Sequence, residues 1–192
     1  MKARPSNTLR IIGGRWRGRK LSFPDAQGLR PTGDRIRETL FNWLQVYMPG
    51  ARCLDLFAGS GALGFEAASR GAERVVMVER APDVVDALRR NAQTLGADNI
   101  EIVSADALHY LERSGERVDV VFLDPPFRSD IIGTCCAMLE AGHWLAPEAF
   151  IYLERDCSRP APALPAEWQL HRTRRAGQVE FQLAVRRDNT TT

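Results

Sequence analysis

The 192-residue sequence contains no apolar run as long as a membrane-spanning helix, no internal repeat and no low-complexity tract. No apolar stretch follows Lys2 and Arg4, so we expect no secretion signal. Its four cysteines form no C-x-x-C pair, and its three histidines lie far apart, which disfavours a metal site. We therefore expect a soluble cytoplasmic protein with reduced thiols and no metal.

The length and composition of the chain limit how many domains it can hold. With 44% hydrophobic residues it can bury one substantial core, but not two full-sized ones. We expect a main domain over residues 31–192 and a small arm over residues 1–30. Within the arm, apolar residues at 9–12 and 20–23 flank several glycines, which predicts a short β-hairpin.

Positive charge is concentrated at the start of the chain. Residues 1–37 hold ten Lys or Arg against two Asp, a net charge of +8, whereas the whole chain carries +2 and the remainder therefore −6. A basic arm on an acidic body is typical of a protein that binds nucleic acid. The alternative is a disordered solubilising tail, which the interleaved apolar residues Ile11, Trp16 and Phe23 disfavour.

After the arm, strand-like and helix-like segments alternate. Strand-like runs occupy residues 52–57, 74–79, 100–104, 118–124 and 150–154, and helix-like segments occupy 62–70, 83–95, 108–113 and 130–141. This alternation predicts an α/β fold, with a parallel sheet covered on both faces by helices. A further helix is expected at 34–48, and residues 168–173 and 179–186, separated by Gly177, predict a closing antiparallel pair.

A glycine-rich turn follows the first strand of this alternation. Gly59, Gly61 and Gly64 match the pattern G-x-G-x-x-G, which brings the backbone close to a nucleotide at the end of a parallel strand. With Glu79 as a ribose acid the pattern also admits NAD. Asp55 favours S-adenosylmethionine instead, because a carboxylate repels a pyrophosphate but suits the amino group of the methionine moiety. The plain alternative is a turn that only joins strand to helix.

Acids also follow the next two strands. Glu79 ends the second strand, where it can accept hydrogen bonds from both ribose hydroxyls, and Asp106 follows the third, within reach of an adenine amino group. Each has an alternative role as a helix cap, but three acids at successive strand ends favour one shared ligand. The predicted cofactor contacts are Asp55, Phe57, Gly59, Ser60, Gly61, Glu79, Arg80, Asp106 and Ala107.

The sequence Asp124-Pro125-Pro126-Phe127 closes the fourth strand, which lies beside the first in a doubly wound sheet. The exocyclic amino group of a base is a poor nucleophile, and Asp124 and the Pro125 carbonyl can accept its two hydrogens as the methyl group approaches. Pro126 helps to stiffen the loop, and Phe127 offers a ring on which an unstacked base can lie. We predict these four residues to be catalytic. The alternative is a stiffened loop with Phe127 in the core.

The glycine turn and the Asp-Pro-Pro-Phe motif together resemble the Rossmann-like S-adenosylmethionine-dependent amino-methyltransferases. Residues 10–19 (RIIGGRWRGR) and 30–42 (RPTGDRIRETLFN) are similar to bacterial 16S ribosomal RNA guanine-N2 methyltransferases of the RsmD type. The resemblance covers about residues 9–186. It implies methylation of guanine 966 in the small ribosomal subunit or its assembly intermediate, and a sheet whose seventh strand is inserted antiparallel. Arg80 departs from the family, which usually places an apolar residue against the adenine.

The resemblance identifies the nucleic acid expected on the arm as ribosomal RNA. The predicted RNA contacts are Arg10, Arg15, Trp16, Arg17, Arg19, Arg30, Thr32, Arg35 and Arg37. For Trp16, both packing and base stacking remain open. We expect removal of the arm to abolish RNA binding and spare cofactor binding; the alternative is that the arm covers the body and its loss unfolds the domain.

Two other functions remain open at this stage. An adenine-N6 methyltransferase acting on DNA or RNA faces the same chemical problem, although such DNA enzymes generally carry a separate recognition domain. A ribosome-assembly binding protein that has lost its activity is the other, and the retained Asp124 disfavours it. We expect a monomeric enzyme that transfers a methyl group from S-adenosylmethionine to the N2 of a guanine in 16S ribosomal RNA.

Overall fold

The computed structural model describes residues 6–25, 32–113, 115–126 and 131–187, which form a two-stranded sheet and a seven-stranded sheet with helices. The strands are β1 (Ser6–Arg10), β2 (Lys20–Pro24), β3 (Arg52–Asp55), β4 (Arg74–Glu79), β5 (Ile100–Ser104), β6 (Val118–Leu123), β7 (Leu145–Asp156), β8 (Trp168–Ala176) and β9 (Val179–Arg186). The helices are α1 (Asp34–Trp43), α2 (Ala62–Ser69), α3 (Pro82–Leu95), α4 (Ala107–Leu111) and α5 (Ile132–Ala141).

The larger sheet has the strand order β5-β4-β3-β6-β7-β9-β8. Strands β3 to β7 pair in parallel, and β9 is antiparallel to both of its neighbours, β7 and β8. Gly177, with a φ of 63°, supplies the turn between β8 and β9. The predicted α/β class, the mostly parallel sheet and the inserted last strand are all confirmed.

Several elements differ in length from their sequence predictions, and α1 and β7 differ most. The helix expected at 34–48 ends as α1 at Trp43, and the next residues form a turn in which the amides of Tyr47 and Met48 donate to the carbonyl of Leu44. Strand β7 begins at Leu145, well before the predicted residue 150, even though Pro147 lies within it. A register shift opposite residues 118–120 of β6 accommodates this part of the strand.

Helices cover both faces of the sheet, as predicted from the alternation. One core cluster contains the apolar residues of α1, α2 and α3, and the other contains those of α4 and α5. All four cysteines are free, and burial raises the pKa of Cys135 and of Cys136 to about 12. None of the described helices, the longest of which has 14 residues, offers an apolar segment that would cross a membrane.

The N-terminal hairpin, formed by β1 and β2, packs into the first of these clusters. Leu9, Ile11 and Leu21 are buried there, and Asn91 of α3 exchanges hydrogen bonds with the backbone of Ser22. A side chain at Gly14 would place its first carbon 1.9 Å from the carbonyl oxygen at residue 69, so only glycine allows this approach to α2. The hairpin prediction is confirmed, and this packing favours the alternative in which loss of the arm unfolds the domain.

Candidate active site

Four predicted acids lie along one edge of the sheet. Asp55 ends β3, Glu79 ends β4, Asp106 follows β5 and Asp124 follows β6. These four strands are adjacent and parallel, so their carboxyl ends meet at the same edge. The chain order reverses across β3, which makes the gap between β3 and β6 the switch point where such sheets bind ligands.

The glycine turn between β3 and α2 is fixed by its backbone conformation. Gly61 precedes α2 in the left-handed region with a φ of 81°, and an added Cβ there would lie 2.5 Å from the ring of Phe65. The amide of Gly59 donates to Oε2 of Glu79 at 3.0 Å. The turn is therefore anchored to the neighbouring strand, and the predicted contact Ser60 is buried within it.

Asp55 is the most buried of these acids, with 1% of its surface exposed. Its Oδ2 accepts a hydrogen bond from the amide of Gly64 at 3.1 Å, whereas no described residue donates to its buried Oδ1. Burial raises the pKa of Asp55 to about 7, the nearby amides of Phe57 and Gly64 oppose the rise, and the charge of Glu79 adds to it. A buried carboxylate oxygen without a donor is costly, so the site is suited to a cationic ligand.

Asp106 caps α4, as the alternative interpretation proposed, whereas Glu79 binds the amides that precede α3 and does not cap that helix. Oε1 of Glu79 accepts from the amides of Arg80 and Ala81 at 2.9 and 2.8 Å, and Oδ1 of Asp106 accepts from the amide of Leu108 at 3.0 Å. Each carboxylate oxygen has two lone pairs, so Oε2 of Glu79, which accepts only from Gly59, and the oxygens of Asp106 still have room for a ligand. Arg80 is exposed, with its Nη1 3.9 Å from Oδ2 of Asp106, while Ala107 is buried at the start of α4.

Asp124 is half-buried and directed by a residue from the start of α1. The hydroxyl of Thr32 donates to Oδ2 of Asp124 at 2.9 Å. The pKa of Asp124 is raised above its usual value by burial and by the charges of Glu154 and Asp55, and the Thr32 hydroxyl opposes the rise. Thr32 was predicted to contact RNA; the structure places it instead on the predicted catalytic acid.

Of the other predicted catalytic residues, Pro125 is buried and Pro126 is exposed. Phe127 lies outside the described residues, so its role as a stacking platform remains a prediction.

Sequence reasoning missed a second acid beside Asp124. Glu154 lies on β7, which pairs in parallel with β6 in a register that matches Leu153 with Leu123. Glu154 and Asp124 are thus the next residues on neighbouring strands. Glu154 is 4% exposed, and its Oε2 accepts from the hydroxyl of Tyr152 at 2.6 Å. Burial raises the pKa of Glu154, and the Tyr152 hydroxyl opposes the rise.

Arg37 was predicted to contact RNA, and this prediction is wrong because its side chain is only 1% exposed. Its guanidinium donates to Asp34 at 2.5 Å, to Glu66 at 3.5 Å and to the carbonyls of Thr32 and Arg10 at 3.2 and 3.0 Å. Its spacing from Leu40, Phe41 and Leu44 on the apolar stripe of α1 is the signal that indicated burial.

Glu66, a fully buried carboxylate on α2, was also missed. It accepts hydrogen bonds from the amides of Ile12 and Gly13 in the arm, each at 2.8 Å, and from Arg70 at 2.7 Å. Together with Arg37 it connects the arm to the segment that carries Thr32. A single acid within the otherwise apolar sequence of α2 was the available signal.

The remaining predicted RNA contacts, in the arm and at the start of α1, differ in how accessible their side chains are. Arg10, Arg17 and Arg35 are exposed. Arg15 is also exposed, but it lies over the ring of Trp16 at 4.1 Å and donates to Asn99 at 2.6 Å. Trp16 is 8% exposed, which favours packing over base stacking. Arg19 is exposed as well, and it donates to the carbonyl of Thr94 on α3. Arg30 lies outside the described residues, so its RNA contact stays a prediction.

Metal binding finds no support in the part of the chain that the structure describes, where no group of His, Cys, Asp and Glu is placed to hold an ion. The acids at the sheet edge are instead spaced along four strands and bonded to amides or hydroxyls.

Comparisons with known proteins agree with this arrangement. The family model described as conserved hypothetical protein 95 matches residues 9–185. Ribosomal RNA small subunit methyltransferase D of Escherichia coli K12 is 49% identical over 181 residues, which are 94% of this chain and 91% of that protein.

Two solved structures share the fold. A putative methyltransferase, yhhF, from Escherichia coli superposes with a TM-score of 0.89 at 45% identity, covering 95% of this chain and all of that one. An RNA methyltransferase from Salinibacter ruber, solved with S-adenosyl-L-homocysteine, shares the fold alone, with a TM-score of 0.63 at 21% identity over 84% of this chain and 97% of that one. With its site geometry and these matches, the chain belongs to the family of ribosomal RNA small subunit methyltransferase D.

Proposed function

We propose that this protein transfers a methyl group from S-adenosylmethionine to the exocyclic N2 of one guanine in 16S ribosomal RNA. Membership of the family makes it an S-adenosylmethionine-dependent methyltransferase. The observation that carries the finer proposal is the position of Asp124, which is held by Thr32 on the other side of the switch point, two residues beyond the register partner of Asp55. One acid faces the cofactor and the other faces the base.

The residues on the cofactor side fit S-adenosylmethionine. Oδ1 of Asp55, buried and without a donor among the described residues, would accept a hydrogen bond from the cationic amino group. Oε2 of Glu79 accepts one amide and keeps one lone pair for a ribose hydroxyl, and Asp106 with Arg80 stands where the adenine would lie. The amides of the glycine turn bring the backbone close enough to enclose the ligand.

When bound, S-adenosylmethionine supplies an electrophilic methyl carbon on a sulfonium. Asp124 and the Pro125 carbonyl orient the guanine amino group by accepting its two hydrogens, which directs the nitrogen lone pair towards the switch point. Thr32 keeps Asp124 in place and favours its ionised, accepting form. The proton lost by the amine leaves to Asp124 or to water.

The exposed cations of the arm and of the start of α1 supply the contact with RNA phosphates. Arg10, Arg17 and Arg35 are exposed close to the hairpin and to the start of α1, the segment that also carries Thr32. Phosphate contacts of this kind position a nucleic acid without reading its sequence. The same surface that binds the RNA is therefore joined to the residue that orients Asp124.

The test is a transfer assay with radiolabelled S-adenosylmethionine and small ribosomal subunits from cells that lack this enzyme. We expect one labelled nucleoside, N2-methylguanosine, after complete digestion of the 16S RNA. Labelled N6-methyladenosine would overturn the choice of base, and absence of transfer with intact cofactor binding would favour a binding protein.

The substrate form and the oligomeric state are part of the same proposal. We expect labelling of assembled small subunits or of their assembly intermediates in the cytoplasm, by an enzyme that elutes as a monomer in gel filtration. Transfer to protein-free 16S RNA at the same rate would contradict the requirement for a ribosomal particle.

A further inference from the structure

Beside Asp124 lies a carboxylate, that of Glu154, which the transfer of the methyl group does not itself require. Asp124 and the Pro125 carbonyl already match the two hydrogens of an amino group. Glu154 is nonetheless placed at the next position on the neighbouring strand, and parallel strands lie about 4.8 Å apart. A buried acid placed there needs a partner, because burial of an unpaired charge is costly.

The hydrogen bonds of Glu154 indicate which of its oxygens is available. The hydroxyl of Tyr152, which is itself fully buried, donates to Oε2 and fixes the orientation of the carboxylate. Among the described residues no donor reaches Oε1. Glu154 and Tyr152 are two residues apart on β7, so their side chains lie on the same face of the sheet, which is also the face of Asp124. The free oxygen thus belongs to the face on which the base must be held.

We propose that Glu154 reads the Watson–Crick edge of the base by accepting the N1–H of guanine. In guanine, N1–H and the N2 amino group are adjacent donors. Two neighbouring carboxylates can accept from them, Glu154 from N1–H and Asp124 from the amino group. In adenine the ring nitrogen next to the amino group carries a lone pair, which a carboxylate oxygen repels. This inference rests on the proposed methylation of guanine N2 and adds the residue that selects guanine over adenine.

The test compares guanine with 2-aminopurine at the target nucleotide, in small subunits reconstituted with ligated 16S RNA. 2-Aminopurine keeps the N2 amino group, but its N1 has a lone pair in place of the hydrogen. It also lacks the O6 of guanine, and because that loss is the same for every enzyme variant, a change in the guanine to 2-aminopurine ratio reports on N1.

For the wild-type enzyme we expect kcat/KM on guanine to exceed that on 2-aminopurine by roughly a hundredfold or more. The Glu154→Gln variant should lose roughly 10- to 100-fold on guanine. The ratio of kcat/KM on guanine to kcat/KM on 2-aminopurine should fall at least tenfold in this variant, because a glutamine amide can donate to the N1 lone pair of 2-aminopurine. Cofactor affinity, measured by calorimetry, should stay within about twofold, since Glu154 lies on the acceptor side.

Two variants control for structural effects. Glu148→Gln changes an exposed acid on the same strand and should leave both rates unchanged. Tyr152→Phe keeps the carboxylate but removes its orienting hydroxyl, so it should lower the guanine to 2-aminopurine ratio by a smaller factor. This variant replaces Glu154→Gln in the test if Glu154→Gln does not fold. If Glu154→Gln lowers kcat/KM equally on both bases, so that the guanine to 2-aminopurine ratio is unchanged, the role of Glu154 is overturned. Absence of N2 methylation by the wild-type enzyme would instead overturn the proposed function.

Discussion

The two sides of the active site are built from the same residue type but held in different ways. On the cofactor side, Asp55 and Asp106 accept hydrogen bonds from amides nine and two residues further along the chain. On the acceptor side, Asp124 is held by Thr32, 92 residues away; Thr32 is held in turn by Arg37, which pairs with Glu66. The cofactor side is therefore held by the loops at its own strand ends, including the bond from Gly59 to Glu79, whereas the acceptor side depends on how the arm and α1 pack.

The largest expected effect comes from removing the support of the acceptor side. Glu66→Ala removes one of the two carboxylates that pair with the buried Arg37, the other being Asp34, and leaves two arm amides without an acceptor. We expect the free energy of unfolding to fall by roughly 3 to 5 kcal/mol in urea denaturation. Glu73→Ala, which removes an exposed acid nearby, should stay within about 0.5 kcal/mol of the wild type. A fully stable Glu66→Ala protein would show that the arm is not needed for the fold.

Asp124→Ala should separate the two sides functionally. Loss of a preorganised acceptor at the target amine should lower the rate of methyl transfer on the order of a hundredfold or more, while calorimetry shows unchanged binding of S-adenosylmethionine. Turnover close to that of the wild type would remove Asp124 from the mechanism.

Asp55→Asn should affect the opposite side. Loss of a charge-assisted hydrogen bond should weaken cofactor binding roughly 10- to 100-fold. In the wild type, affinity should rise as pH increases through about 7, because the cationic amino group requires the ionised form of Asp55. The variant should lose that dependence; an unchanged affinity would mean that the amino group binds elsewhere.

The same substitution should stabilise the protein without cofactor. The folded-state pKa of Asp55 lies above its unfolded value, so the wild type loses stability as pH rises from about 4 to about 7. Asparagine cannot ionise, and the variant should therefore have the higher melting temperature at pH 8 and little advantage at pH 4.

Thr32→Val tests the connection between Asp124 and its distant support. Loss of the hydroxyl that favours the ionised form should raise the pKa of Asp124 further and move the acidic limb of the pH–rate profile to higher pH. At pH values on the acidic side of that limb, we expect the rate of methyl transfer to be about tenfold lower than in the wild type. Thr39→Val, at a hydroxyl bonded only within α1, should leave the profile in place.

The smallest effect is expected at the exposed surface of the arm. Arg17→Ala should weaken RNA binding and reduce the slope of log affinity against log salt by roughly 0.7 to 0.9. Arg74→Ala, on β4 and paired with Glu101 and Glu116, is the matched control. Identical slopes for the wild type and Arg17→Ala would place the RNA elsewhere.

The contrast between the two sides also explains what the sequence allowed us to predict. β4, β5 and β9 begin and end at the predicted residues, and the acids at the strand ends were found, because strand periodicity and glycine turns are local features. Thr32, Arg37 and Glu66 were misjudged or missed because their partners are distant in sequence. Charge alone suggested RNA contacts for Arg37, and its position on the apolar stripe of α1 was the better guide.

The inserted position of β9 affects the order in which the protein folds during translation. β8 is synthesised before β9, yet it pairs with β9 and not with β7. While β9 is still inside the ribosome, the edge of β7 therefore has no permanent neighbour, and this strand ends at the catalytic edge of the sheet with Tyr152 and Glu154. An open strand edge of this kind favours pairing with other chains. We therefore expect the nascent chain to be prone to aggregation until β9 emerges from the ribosome and pairs with β7.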